Sequence, residues 1–172
     1  MSGRFFRAAS SIAALLLGVG SGTAWAQDEL FVTSGNSIMV YARTANGNVA
    51  PLRTIAGAAT GLNAPDGLAV DTVNNELVVA NQGNSVTVYA RTANGNVAPL
   101  RTIAGAATGL NLPGGLALDT VNNELAVMNE NSNSVTVYAR TANGNVAPLR
   151  TLSGAATGLG FNLPAGLALD AV

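Results

Sequence analysis

The stretch YARTANGNVAPLRTIAGAATGL at 41–62 returns letter for letter at 89–110, and again at 138–159 with only Leu152 and Ser153 changed, from Ile and Ala. Start points at 41, 89 and 138 define a tandem repeat with a period of 48 and then 49 residues. Near-identity at such a period means that one supersecondary unit, copied, sets the architecture, because each copy must bury the same apolar faces against its neighbours.

Each unit divides into four strand-length segments. Segment b is ELFVTS at 29–34, ELVVAN at 76–81 and ELAVMN at 124–129: a short apolar, β-branched run with a polar stop, too short for a helix. Segment c is SIMVYAR from Ser37 and SVTVYAR from Ser85 and Ser134, with alternation at period two. It leads to Asn46-Gly47, Asn94-Gly95 and Asn143-Gly144, a dipeptide suited to the positive φ angles of a tight hairpin. That predicts segment d, VAPLRTI from Val49 and its counterparts. Pro51, Pro99 and Pro148 cannot donate to a ladder, and Arg53, Arg101 and Arg150 discourage edge pairing, so d is expected to be the outermost strand. A glycine-rich connector then reaches Pro65-Asp66-Gly67, Pro113-Gly114-Gly115 and Pro164-Ala165-Gly166. Segment a follows, ending at Asp71, Asp119 and Asp170, and is apolar on both faces, as a strand between neighbouring sheets must be. Asn74-Asn75 and Asn122-Asn123 turn it back to b.

The expected fold class is therefore all-β: four-stranded antiparallel meanders, a innermost and d at the rim, which describes β-propeller blades. Strands b, c and d of a first blade span 29–55, a second blade runs over 67–103, a third over 115–152, and a final strand a covers 166–170. A threefold β-trefoil or β-prism shares the arithmetic and would close as a monomer, but an exposed edge in every repeat favours blades. The pattern P-x-G-L-A-V-D, N-N-E-L-V-V-A-N, S-V-T-V-Y resembles bacterial six-bladed propellers built from NHL-type repeats, of the gluconolactonase-like superfamily. The resemblance spans the chain after residue 26 and departs in number, three repeats where a closed ring of that kind holds six.

Residues 1–26 have the form of a secretory signal peptide, with Arg4 and Arg7, an apolar run at 12–19 and a small-x-small site at Ala24-Trp25-Ala26. The apolar run is too short to span a bilayer. A secreted or periplasmic protein starting at Gln27 is expected, with no membrane association after cleavage. It would carry six Arg against nine acids, without clustered basic residues, so no nucleic-acid partner is expected. The chain has no Cys, Lys or His, which removes disulfides, thiolate and imidazole ligands and the common nucleophiles and bases.

Asp71, Asp119 and Asp170 recur at the exit of a, and Glu29, Glu76 and Glu124 at the entry of b, so both sets read as scaffolding. Position 66 differs, since Asp66 becomes Gly114 and Ala165 in the other copies. The family resemblance implies a channel metal held by carboxylate and Asn oxygens, and Asp66 with Asn81 and Asn129 offers such oxygens for Ca²⁺. The family's ligand positions do not match here one by one, so no cofactor is expected. The tyrosines at 41, 89 and 138 recur at one place in c and read as packing between blades. The b–c loops vary between copies and lie at the same end as the Pro-x-Gly connectors. They make Asn36, Asp66, Gln82, Asn84, Glu130 and Asn131 the candidate ligand-binding face. The expected function is a non-catalytic binding or scaffold module, and the resemblance implies a metal-dependent lactonase- or lyase-like enzyme as the alternative. Three blades fall short of a ring, so either a head-to-tail homodimer or a longer parent chain is expected to cover the ends.

Overall fold

A computed structural model describes residues 29–161 and 166–170. The signal peptide at 1–26 lies outside the described residues, as do Pro164 and Ala165 of the third connector. Among the described residues no helix is long and apolar enough to cross a membrane.

Among the described residues, eleven strands form three separate antiparallel sheets. The first holds β1 (Glu29–Ser34), β2 (Ser37–Ala42) and β3 (Arg53–Ala56) in that order. The second holds β4 (Pro65–Asp71), β5 (Glu76–Asn81), β6 (Ser85–Ala90) and β7 (Arg101–Ala104). The third holds β8 (Pro113–Asp119), β9 (Glu124–Asn129), β10 (Ser134–Ala139) and β11 (Arg150–Leu152). The two complete sheets run a, b, c, d as expected. Asn75 and Asn123 adopt left-handed backbone at φ 55° and 57° to turn a into b, a conformation Asn tolerates better than most residues.

The sheets stack face to face because b and c are apolar on both sides. Successive residues of a strand point to opposite faces. On β5, Leu77 and Val79 therefore join Ile38 and Ile55 of the first sheet, while Val78 and Ala80 join Leu125, Val127 and Tyr138 of the third. The inner strands also approach closely. A Cβ at Gly67 on β4 would lie 2.5 Å from the backbone oxygen of Gly114 on β8, so only glycine fits there.

Two local expectations are corrected. Segment d is four residues or fewer, and Pro51, Pro99 and Pro148 precede the strand rather than sit in its edge. The Asn-Gly pairs do not make two-residue hairpins. Each belongs to a longer loop that, at both junctions between sheets, docks on strand d of the preceding blade. Gly95 N donates to Thr54 O (2.7 Å) and Ala56 N to Gly95 O (3.2 Å), while Gly144 N and Ala104 N repeat the pair with Thr102 O and Gly144 O. Asn94 and Asn96 add side-chain oxygens that accept from Thr54 N and Ala59 N. The positive φ of Gly95 (77°) serves a contact between blades, which a single repeat cannot reveal. Residues 166–170, the expected final strand a, carry no strand hydrogen bonding in this chain.

Candidate functional site

The recurring charges are paired within the scaffold. Arg53 binds Glu29, Arg101 binds Glu76 through two hydrogen bonds of 2.6 and 2.7 Å, and Arg150 binds Glu124 likewise at 2.5 Å. The bidentate fork of arginine suits this strand-to-strand clamp. The arginines were read from sequence as edge guards; here they hold b to d across c, and Arg53 and Arg101 also donate to backbone oxygens of the next blade at Arg91 and Arg140. Asp71 accepts from Val73 N and Asn74 N at 2.9 and 3.0 Å, which caps the a–b turn, and it receives both contacts of Arg140 Nη1 at 2.9 Å.

Arg150 beside Glu124 holds that carboxyl below its ordinary value, and the backbone hydrogen bond from Asn122 does the same for Asp119. A depressed carboxyl contributes stability that is full above the unfolded pKa and lost as pH falls through the folded one. With no His, the chain carries no side chain whose ordinary pKa lies between about pH 5 and 8. The thermal midpoint should therefore be flat through neutrality and fall on acidification below the usual carboxylate range, about pH 4. Scanning calorimetry across pH checks this, and a midpoint that rises in acid would contradict it.

The Tyr expectation holds at both junctions. Tyr89 and Tyr138 are buried, and their hydroxyls donate to Thr60 O and Thr108 O at 2.5 Å. Burial raises both phenol pKa values. Asn81 and Asn129, the amide half of the imagined cation site, are instead fully buried and engaged. Each accepts from its connector, at Asn63 N or Asn111 N (3.1 Å), and each donates to a strand c threonine, Thr87 or Thr136, at 3.0 Å. They clamp connector to sheet.

The predicted ligand face divides in the same way. Asn36 Oδ1 accepts from Ala64 N (2.9 Å) and Asn84 Oδ1 from Leu112 N (2.8 Å). These bonds hold Ala64 and Leu112 at positive φ, 49° and 54°, a conformation unfavourable to any residue with a Cβ. Asn133 Oδ1 makes the third such clip, to Phe161 N, so the repeat partner of Asn36 and Asn84 is Asn133, while Asn131 lies exposed in the loop. The signal for this was the residue just before Ser37, Ser85 and Ser134, which is Asn every time.

Asp66, Gln82 and Glu130 do converge. Gln82 Nε2 donates to Asp66 Oδ2 at 3.1 Å, and Thr33 Oγ1 donates to the Asp66 carbonyl at 2.9 Å. A side chain at Gly114 would collide with Glu130 Oε1 and come 3.4 Å from Asp66 Oδ2. Position 114 is the repeat counterpart of position 66, so losing the side chain there is what lets the second acid approach the first. The result is one asymmetric, acceptor-rich patch on otherwise copied blades. Among the described residues no group of three or more acids gathers as for a metal ion.

Radially stacked four-stranded meanders, inner strands in contact and polar loops gathered at one end, define a β-propeller array. The chain belongs to the lactonase, 7-bladed β-propeller family, whose profile matches residues 34–156. No curated protein matches it. The family so shown is seven-bladed, and it carries neither the NHL-type assignment nor a count of six.

Proposed function

We infer that the protein is an exported, non-catalytic propeller module that binds or scaffolds through the patch of Asp66, Gln82 and Glu130. The observation that supports this is the commitment of the repeated acids. Glu29, Glu76, Glu124 and Asp71 are each held by an arginine, which leaves the unrepeated pair Asp66 and Glu130 as the polar groups differentiated for a ligand. Two carboxylates and an amide suit hydroxyl- or ammonium-bearing ligands.

A lactonase-like hydrolase is the second reading, and the family match favours it. In that case Asp66 and Glu130 are, among the described residues, the differentiated carboxylates placed to act as a general base at this end of the blades. The two readings separate on proton release from a simple γ-lactone, followed in a pH-stat with and without added divalent cation. The purified protein is expected to match the buffer rate. Hydrolysis that vanishes in Asp66→Asn combined with Glu130→Gln would establish the enzyme instead.

A further inference from the structure

The pair Asn-Gly is chemically labile as well as turn-forming. The backbone nitrogen of the glycine attacks the side-chain carbonyl of the asparagine and closes a five-membered ring, and glycine favours this because it has no side chain to shield the nitrogen or restrict the backbone. The chain carries three such pairs, Asn46-Gly47, Asn94-Gly95 and Asn143-Gly144, each within the identical stretch TANGNVAPLR. Local sequence therefore gives them one intrinsic rate, and any difference between them comes from the fold.

The local backbone is the same as well. Gly47, Gly95 and Gly144 have φ of 74°, 77° and 81°, and each loop is entered through a turn closed by a 2.9 Å hydrogen bond, from Ala45, Ala93 or Ala142 N to the carbonyl three residues earlier. All six residues of the pairs are exposed, so water reaches each of them. What differs is how the reacting atoms are held.

In the second and third copies both partners of the reaction are engaged by the preceding blade. The nucleophile is tied up, because Gly95 N donates to Thr54 O and Gly144 N to Thr102 O, both at 2.7 Å. The amide is pinned too, since Asn94 Oδ1 accepts from Thr54 N at 3.3 Å and Asn143 Oδ1 from Thr102 N at 3.1 Å. Asn96 and Asn145 seat the same loops, their Oδ1 atoms accepting from Ala59 N and Ala107 N at 2.8 Å. Ring closure requires the glycine nitrogen to lose its proton and the asparagine side chain to swing onto it. Both movements break bonds to strand d, so reaction there waits for the junction to open. Among the described residues neither Asn46 Oδ1 nor Gly47 N has a hydrogen-bond partner.

We propose that the Asn-Gly pairs are sites of spontaneous deamidation gated by the blade junctions, with Asn46 the open site and Asn94 and Asn143 the guarded ones. Gly47 N forms a bond to Asn46 Cγ, the Cγ–Nδ2 bond breaks, and Nδ2 leaves as ammonia with the proton given up by Gly47 N. Water then opens the succinimide at either carbonyl, to aspartate or isoaspartate. Each conversion adds one carboxylate, and the isoaspartate product also inserts a methylene into the main chain. At Asn94 or Asn143 that methylene falls between the atoms that grip Thr54 or Thr102, so a junction that opens and reacts does not reseat in register. The reaction needs no ligand and is independent of the function read at the Asp66 patch.

The purified chain, held in mildly alkaline buffer and sampled over time, provides the test. Cleavage after glutamate puts the three pairs in separate peptides, 30–76, 77–124 and 131–172, and fragmentation by mass spectrometry locates the converted residue. Asn46 is expected to convert at least about tenfold faster than Asn94 or Asn143, because the guarded pairs react only in the open fraction. In concentrated urea all three should convert at one rate. Asn96→Ala removes one grip on the second loop and should speed Asn94 about fivefold, as for one lost hydrogen bond, while leaving Asn143 unchanged. Hydrogen exchange on the unaltered chain is a second readout, with Gly47 N–H expected to exchange fast and Gly95 and Gly144 N–H slowly. Equal native rates at the three pairs, unequal rates in urea, no acceleration of Asn94 in Asn96→Ala, or a Gly95 amide that exchanges as fast as that of Gly47 would each overturn the proposal.

Discussion

Replacing Asp71 by alanine is expected to lower the unfolding free energy by about 3–5 kcal/mol, the usual result of removing one member of a buried ion pair. Asp71 is fully buried and Arg140 is 7% exposed, so the guanidinium left behind can recover little hydration. The Nε of Arg140 has no hydrogen-bond partner among the described residues, so the pair with Asp71, beside one hydrogen bond from Nη2 to Asn123 Oδ1, is the main compensation for burying that cation. The same substitution removes the acceptor that caps Val73 N and Asn74 N. Asp119 supplies the control: it caps Val121 N and Asn122 N in the same way but forms no ion pair among the described residues. Urea denaturation of both variants should show Asp71→Ala well below Asp119→Ala, and equal losses would mean that the turn, not the bridge between blades, dominates.

The second large effect is expected at Ile103, where truncation to alanine should cost about 2–5 kcal/mol. Ile103 is 1% exposed and sits in the cluster that joins the second and third blades, so the methylenes removed leave a cavity between two sheets that cannot collapse without losing the strand register. Leu152 has the same repeat position on the third blade but is 54% exposed, so Leu152→Ala should change the stability of the single chain by less than about 0.5 kcal/mol. Paired thermal and urea melts at low protein concentration measure both. Similar losses at the two positions would show that the face bearing Leu152 is already covered in solution.

Much of the architecture was legible because a tandem repeat states the same local rule three times. The order a, b, c, d and the Asn-Asn turns follow from segment length, period-two patterning and the tolerance of Asn for left-handed backbone, whereas the two-sided burial expected of segment a falls mainly on b and c, because the middle strands of each sheet are the ones covered by sheets on both sides. The scaffolding role of Glu29, Glu76 and Glu124 was legible for the same reason, since a charge demanded in every copy serves the copy. The Asn-Gly pairs were misread because their positive φ marks a turn in any setting, and nothing local says that the turn docks on a neighbouring blade. Pro51 and its counterparts were placed inside strand d because apolar character continues through them, whereas hydrogen bonding to strand c begins only after the proline, at Leu52 N. Asn81 and Asn129 looked like free oxygens because a sequence does not show that their amides are spent on a connector 18 residues upstream.

The sequence by itself determined what each repeat is: four short strands, two-sided apolar faces, an outer edge carrying arginine, and a position at 66 released from the repeat. Those properties depend on the conformational preferences of a few consecutive residues, and a one-dimensional pattern records them. The tertiary structure alone decided which copied groups meet and which are left over. Arg140 finds an Asp 69 residues away, Tyr89 finds a carbonyl 29 residues away, and Glu130 moves toward Asp66 only because Gly114 leaves the space. Identical local sequences thus end in different surroundings, since a middle copy has neighbours on both faces and an end copy on one.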